Sequence, residues 1–286
     1  MSNPLTRSQV DEFHANGVLV LRSFYDPEND LYPILRGIHS IIGLVIKRSG
    51  LAVGQPPFDP QTFDSGYQDL IAADRRYGGD VYDAVKQIPA FMRLVAEPRH
   101  ESILCQLRNT DLAGIAAVGY GIRIDNPHEE RFRAAWHQEY LGQLRSLDGI
   151  SLWIPLLRIN ASLGAVEFCV GSHKEGLFKV RAKDPNHSDK TGAYAVLLDR
   201  EEKLVSRYAR VAPETDIGDL ILLDFLVVHR SGINCSSRAR WSMQTRYFNF
   251  HDPTGIRIGW CGSYAAGNNV MNVHPEAFVS PNEVEP

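Results

Sequence analysis

Asp219-Leu220-Ile221-Leu222-Leu223-Asp224-Phe225-Leu226-Val227-Val228 is a strongly apolar run that stops at His229, and it reads as one buried strand ending on an imidazole. Working outward, similar short apolar and aromatic runs begin at about Ile115. They are Val118–Ile124, Ile150–Leu156, Val166–Val170, Ala193–Leu198, Arg207–Val211 and Trp241–Phe250, with turn residues between them. Short strands at this spacing predict a β-barrel or sandwich. Upstream the pattern is helical. Thr6-Arg7-Ser8-Gln9 is a capping box opening a helix with Val10 and Phe13 on one face, which stops at Asn16-Gly17. A short strand at Val18–Leu21 follows. A longer helix is predicted from about Glu28 to Lys47, striped by Leu31, Leu35, Ile38, Ile42 and Val45. Leu51–Gly66 reads as a loop. Further helices are predicted at Tyr67–Arg76 and Ala90–Leu107, the second broken or kinked by Pro98. The expectation is a single domain over 1–286: residues 1–114 mainly helical, 115–250 a β core, and 251–286 a C-terminal extension.

Composition narrows the function classes. The 286 residues are 44% hydrophobic with a net charge of −4, and they contain no extended basic run. That argues against nucleic acid or an anionic membrane as partner. The four cysteines form no CxxC pair and read as reduced thiols of a cytoplasmic protein. No signal-peptide pattern and no run of membrane-spanning length is present.

Two segments carry chemistry. In Trp136-His137-Gln138-Glu139, residues two apart in an extended strand point the same way, so His137 and Glu139 can face one metal while Gln138 faces away. His229, at a strand end, supplies a third donor. Two histidines and one carboxylate form the ligand set of non-haem Fe(II) oxygenases. Such a metal keeps three further positions. A 2-oxo acid chelates two of them and dioxygen takes the last. The far carboxylate of the oxo acid then needs a cation, for which arginine gives a directional match. Arg240 is the candidate, with Arg238 and Arg246 as rivals, and Ser231 can add a hydroxyl.

These residues resemble the phytanoyl-CoA dioxygenase family. The likeness rests on His137-x-Glu139, Gly171-Ser172-His173, Gly218-Asp219 and His229-x-Ser231-x-x-Asn234-x-Ser236-x-x-x-Arg240, and it extends to about Phe250. The resemblance implies an α+β fold with a double-stranded β-helix (jelly-roll, cupin-like) core and N-terminal helices packed on one face. It implies Fe(II) held by His137, Glu139 and His229, with 2-oxoglutarate and O2 as co-substrates. It selects Arg240 over Arg238 as the oxoglutarate anchor. The implied activity is hydroxylation of an unactivated C–H bond of a small or medium metabolite, releasing succinate and CO2. Desaturation, cyclisation and epimerisation draw on the same chemistry. The family usually carries Asp where this chain has Glu139. Halogenating relatives replace that carboxylate by a small residue, so Glu139 argues against halogenation. The resemblance makes His173 part of a turn rather than a ligand, and Asn234 and Ser236 loop-shaping residues.

Other roles rest on position alone. Trp153 can pack beside the oxo acid, while Arg123, Asp125, Asn126, Gln244 and Arg246 are candidate lining residues. The loop Gly54–Pro60 is a candidate lid. The alternative reading is a cupin-like non-redox divalent-metal enzyme or sugar-binding module, which leaves Arg240 and Ser231 without a shared purpose.

Overall fold

The computed structural model describes residues 4–181, 196–262 and 270–279. The Thr6 hydroxyl accepts from the Gln9 amide, and the Gln9 side-chain oxygen accepts from the Thr6 amide, which fixes the start of α1 (Arg7–Asn16). Gly17 ends the helix in the left-handed region, at φ +74°, and leads into β1 (Val18–Leu21). A π turn at Pro27–Leu31 opens α2 (Tyr32–Ser49), whose expected apolar stripe is buried.

The helix expected at Tyr67–Arg76 is two helices, α3 (Tyr67–Ala73) and α4 (Arg75–Val85). Asp74 leaves helical geometry, and its carboxylate accepts from the Arg76 amide as the cap of α4. The Gly78-Gly79 pair inside α4 hid its length, because glycine is a poor helix former. Pro98 separates α5 (Pro89–Val95) from α6 (Pro98–Arg108), sitting where its missing N–H costs nothing.

Beyond α6 the strands are β2 (Ala113–Ile115), β3 (Gly121–Asp125), β4 (Gly149–Pro155), β5 (Glu167–Cys169), β6 (Val180–Arg181), β7 (Leu197–Leu198), β8 (Arg210–Val211), β9 (Leu220–Asp224), β10 (His229–Arg230) and β11 (Arg240–Asn249). Residues 193–195 of the strand expected at Ala193–Leu198 lie outside the described residues. Short helices α7 (Glu139–Gln143), α8 (Glu201–Val205), α9 (Pro253–Ile258) and α10 (Val270–Val273) fill connections. The main sheet runs β1-β9-β4-β11-β2, with β3 also on β11, and the second runs β10-β5-β8. Among the described residues these strands pair antiparallel throughout. The result is the jelly-roll core with helices packed on it. β1, from the helical part, closes one edge of the main sheet.

Strand alternation divides β11 into two faces. Trp241 and Tyr247 face the helices: Trp241 packs edge-on against Phe63 and Tyr67, and Tyr247 donates to the Val95 carbonyl at 2.8 Å. Arg240, Ser242, Gln244 and Arg246 have the opposite parity and face the barrel interior.

The run Leu220–Val228 is not one strand. The Asp224 carboxylate accepts from the Leu226 amide at 2.8 Å and is held by Arg108 at 2.7 Å, turning the chain from the main sheet to the second. His229 therefore opens β10 instead of ending β9. Phe225, Val227 and Val228 are fully buried around this turn, so hydrophobicity disguised it as strand. Among the described residues no helix is long and apolar enough to cross a membrane.

Burial has a measurable consequence at His100 in α6, which is fully enclosed and bonded to the Tyr25 hydroxyl at 2.6 Å. Burial, with help from the Arg99 charge, lowers its pKa to about 3. An unfolded histidine titrates near 6.5. Below that pH the unfolded chain takes up a proton that the folded chain refuses. The His100 contribution to stability is thus flat above pH 6.5 and falls between about 6.5 and 3. Urea midpoints of wild type and His100→Gln, compared from pH 7 to 4.5, should converge as pH drops. Parallel curves would contradict this assignment.

Candidate metal centre

His137 and His229 face each other as a backbone pair. The His137 amide donates to the His229 carbonyl at 3.0 Å, and the reverse bond is also 3.0 Å. This two-way bridge fixes the imidazoles side by side, with ring centroids 4.2 Å apart. The Nδ1 of His137 lies 2.8 Å from the Ala135 carbonyl, and that of His229 lies 3.0 Å from the Val227 carbonyl. A carbonyl only accepts, so each Nδ1 carries the proton and each Nε2 lone pair is free to coordinate.

Glu139 arrives differently from the sequence expectation. Gln138 is extended, but Glu139 is the first residue of α7 and does not continue a strand. The helix brings its own support, because Gln143, four residues on, donates to Glu139 Oε1 at 3.1 Å. Arg246 Nε donates to the same oxygen at 3.0 Å. Oε2 is left facing His229 Nε2 at 3.6 Å. Gln138 does face away, and it is 1% exposed. Its amide donates to the Gly176 and Leu226 carbonyls and its oxygen accepts from the Phe178 amide. It thereby ties the ligand segment to the turn that launches His229.

One donor atom from each of His137, Glu139 and His229 lies within 4.8 Å of the others. Two imidazoles and one carboxylate with donor atoms at that mutual distance fit a single divalent cation. Burial, with the neighbouring His229, lowers the His137 pKa to about 4, so this imidazole is neutral and ready to bind near neutral pH. Burial pushes the Glu139 carboxyl up, but Arg246 and the two histidines more than offset this and hold it well below its ordinary value. Glu139 is therefore ionised and able to bind a cation.

Two cavities meet at the triad and share Arg123, Ala134, His137, Glu139 and Arg246. The inner one adds His229, Ser231, Trp153 and Gln244. The outer one adds Arg133, Trp136, Gln143 and Val196. Arg240 is 1% exposed on the interior face of β11 but lines neither cavity. Its Nε and Nη2 donate to Asp125 Oδ2 at 3.2 and 2.8 Å, and its Nη1 donates to the Gly164 carbonyl. Gly164 has φ +77°, and a Cβ there would lie 2.6 Å from the Gly232 carbonyl oxygen, so only glycine fits.

The competing candidates have other partners. Arg238 pairs with Asp64, and the His173 ring lies against the His14 carbonyl, outside the triad. The Asn234 amide bridges the Asp125 and Arg238 carbonyls and shapes its loop, while the Asn126 amide donates to Glu129. The loop Gly54–Pro60, expected as a lid, folds back on α2 through Gln55 and Phe58 and supplies no residue to either cavity. Sequence reading missed Gln143 and Arg133. The i, i+4 spacing from Glu139 was the available signal for Gln143, and nothing local marked Arg133.

A jelly roll with two histidines and a carboxylate converging at the meeting point of two cavities is the arrangement that non-haem iron oxygenases use. The profile described as Phytanoyl-CoA dioxygenase (PhyH) matches residues 13–242, and the chain belongs to that family. No curated protein matches the chain. Among solved structures it is similar to EctD from S. alaskensis with 2-oxoglutarate and 5-hydroxyectoine (17% identity, 87% of this chain and 77% of that one, TM-score 0.55). It is also similar to SnoK, a non-haem α-ketoglutarate-dependent carbocyclase from nogalamycin biosynthesis (14% identity, 86% and 84% coverage, TM-score 0.54). EvdO2 from Micromonospora carbonacea var. aurantiaca, complexed with 2-oxoglutarate, shares the fold at 13% identity (86% and 91% coverage, TM-score 0.51).

Proposed function

We propose that His137, Glu139 and His229 hold one Fe(II), that Arg240 and Ser231 receive the far carboxylate of 2-oxoglutarate, and that the enzyme hydroxylates a C–H bond of a small metabolite lodged in the outer cavity. The observation that carries this reading is the convergence of one donor atom from each of His137, Glu139 and His229 within 4.8 Å of one another. When bound, the iron couples dioxygen activation to oxidative decarboxylation of 2-oxoglutarate, giving succinate and CO2. The protein's part is orientation and exclusion of water. The backbone bridge and the two Nδ1–carbonyl bonds keep both imidazoles aimed inward. Arg246 and Gln143 hold Glu139 Oε1, leaving Oε2 for the metal. Arg240 uses three of its five N–H donors on Asp125 and Gly164, which leaves two for an incoming carboxylate. Ser231 and Trp153, both buried on the inner cavity, supply a hydroxyl and an apolar wall. The single-domain reading is supported by β1 and the helices sharing one apolar core with the main sheet. A cytoplasmic location accords with four free cysteines.

Anaerobic addition of 2-oxoglutarate to the Fe(II) protein should produce a weak visible charge-transfer band that the Zn(II) protein lacks. Arg240→Gln should weaken 2-oxoglutarate binding by about tenfold or more, the scale of a lost charged hydrogen bond. Its Fe(II) affinity should stay as in wild type. Absence of the band in the wild-type protein would exclude the keto-acid chelate.

A further inference from the structure

We infer that the outer cavity recognises a carboxylate on its metabolite substrate, and that Arg133 is the residue that binds it. The inference rests on the oxygenase reading above only for the identity of the ligand as substrate; the anion site itself stands on the wall residues.

Three arginines line this cavity, Arg123, Arg133 and Arg246, against one carboxylate, Glu139. Two of the three are committed. Arg246 donates to Glu139 at 3.0 Å, and Arg123 Nε donates to the two oxygens of Asp125 at 2.8 and 3.0 Å. Arg133 is not committed in that way. Among the described residues no carboxylate pairs with it, and its one side-chain bond reaches the Ser231 carbonyl at 3.5 Å, the outer limit for such a contact. It is half-buried, so water screens its charge only in part. A half-buried guanidinium on a cavity wall is stabilised by an anion, and its planar fork suits a carboxylate.

The rest of the wall defines the body of the ligand. Trp136, Ala134, Ala135, Gly142 and Val196 present apolar surface beside the arginine. Trp136 is held in place by Arg230, whose guanidinium stacks 4.6 Å from the ring centroid and is itself paired with Glu167. The wall therefore combines one uncommitted cation with an apolar platform next to the triad. A ligand with a carboxylate at one end and an aliphatic or aromatic body satisfies both. A neutral or cationic ligand leaves Arg133 without a counter-charge.

The test is calorimetric titration of matched probes: hexanoate against hexanamide, 3-phenylpropionate against 3-phenylpropionamide, and phenyl phosphate. The anaerobic protein is first loaded with Mn(II) and saturating 2-oxoglutarate, which fills the inner cavity. Each acid should bind about tenfold or more tightly than its amide, the value of a charged hydrogen bond. Arg133→Gln should remove that ratio while leaving amide affinity unchanged, and Arg133→Lys should restore part of it. Equal binding of acid and amide, a ratio that survives Arg133→Gln, or tighter binding of phenyl phosphate than of the acids overturns the assignment. The same titration on metal-free protein separates the two readings. An Arg133-dependent acid preference there supports the anion site even if the keto-acid chelate never forms.

Discussion

Replacing His229 with alanine is expected to abolish Fe(II)-dependent 2-oxoglutarate turnover and stoichiometric metal binding while leaving the protein folded. The two effects separate because His229 does two jobs with different atoms. Its main chain makes the two-way bridge to His137, and alanine keeps both of those bonds. Its side chain contributes one of three donor atoms and a bond from Nδ1 to the Val227 carbonyl. Losing that bond costs about 1 kcal/mol. Losing a ligand costs metal affinity beyond the roughly 10–100-fold that follows removal of an outer hydrogen-bonding partner. Metal analysis of protein refilled with Fe(II), alongside a thermal melt, reads both effects. A variant that keeps one iron per chain and turns over 2-oxoglutarate would remove His229 from the centre. His137→Ala should behave alike, since the bridge is again made by the main chain.

How much of this was legible in the sequence depends on the range over which each feature is determined. The capping box at Thr6, the stripe of α2 and the break at Pro98 are local and were readable from spacing alone. Asp74 and the Gly78-Gly79 pair misled because a cap and two weak helix formers sit inside one continuous helical region. The turn at Asp224 was hidden for the opposite reason. Its apolar neighbours are buried on both sides, so nothing in the hydrophobic pattern changes where the chain passes from one sheet to the other. The three candidate ligands could be named because their residue types are chemically restricted. Their supports could not, since Arg246 and Gln138 act through contacts across 107 and 88 residues of chain. The fold, not the local sequence, decides which of several arginines meets which carboxylate. Arg238, Arg240 and Arg246 lie within nine positions, yet they pair with Asp64, Asp125 and Glu139 respectively.

That last pairing sets the second large effect. Arg246→Met is expected to destabilise the metal-free protein by about 3–5 kcal/mol, because removing one partner of a buried ion pair strands the other. Both side chains are largely enclosed, at 13% and 8% exposure, so solvent cannot take over the role of the guanidinium. The Gly119 carbonyl and the Gln244 oxygen lose a donor at the same time. Burial alone would raise the Glu139 carboxyl, and Arg246 is the largest influence opposing it. The sign of the pH dependence follows. A carboxyl held below its unfolded value contributes stability that is present above about pH 4.5 and is lost as pH falls through the lower folded value. The gap between wild type and variant should therefore be widest near neutrality and shrink in acid. Adding Glu139→Gln to Arg246→Met removes the stranded charge, so the double variant should regain most of the lost stability yet bind no iron. Fe(II) affinity of the single variant should drop by about 10–100-fold, since Glu139 Oε1 would be free to rotate toward the metal and the ligand would lose its fixed aim. Arg246→Lys restores the charge but not the Nε–H directed at Oε1, so it should recover stability more fully than metal affinity. Equal melting temperatures for wild type and Arg246→Met across this pH range would mean that Glu139 needs no counter-charge, and that Gln143 with the two imidazoles is enough to hold it.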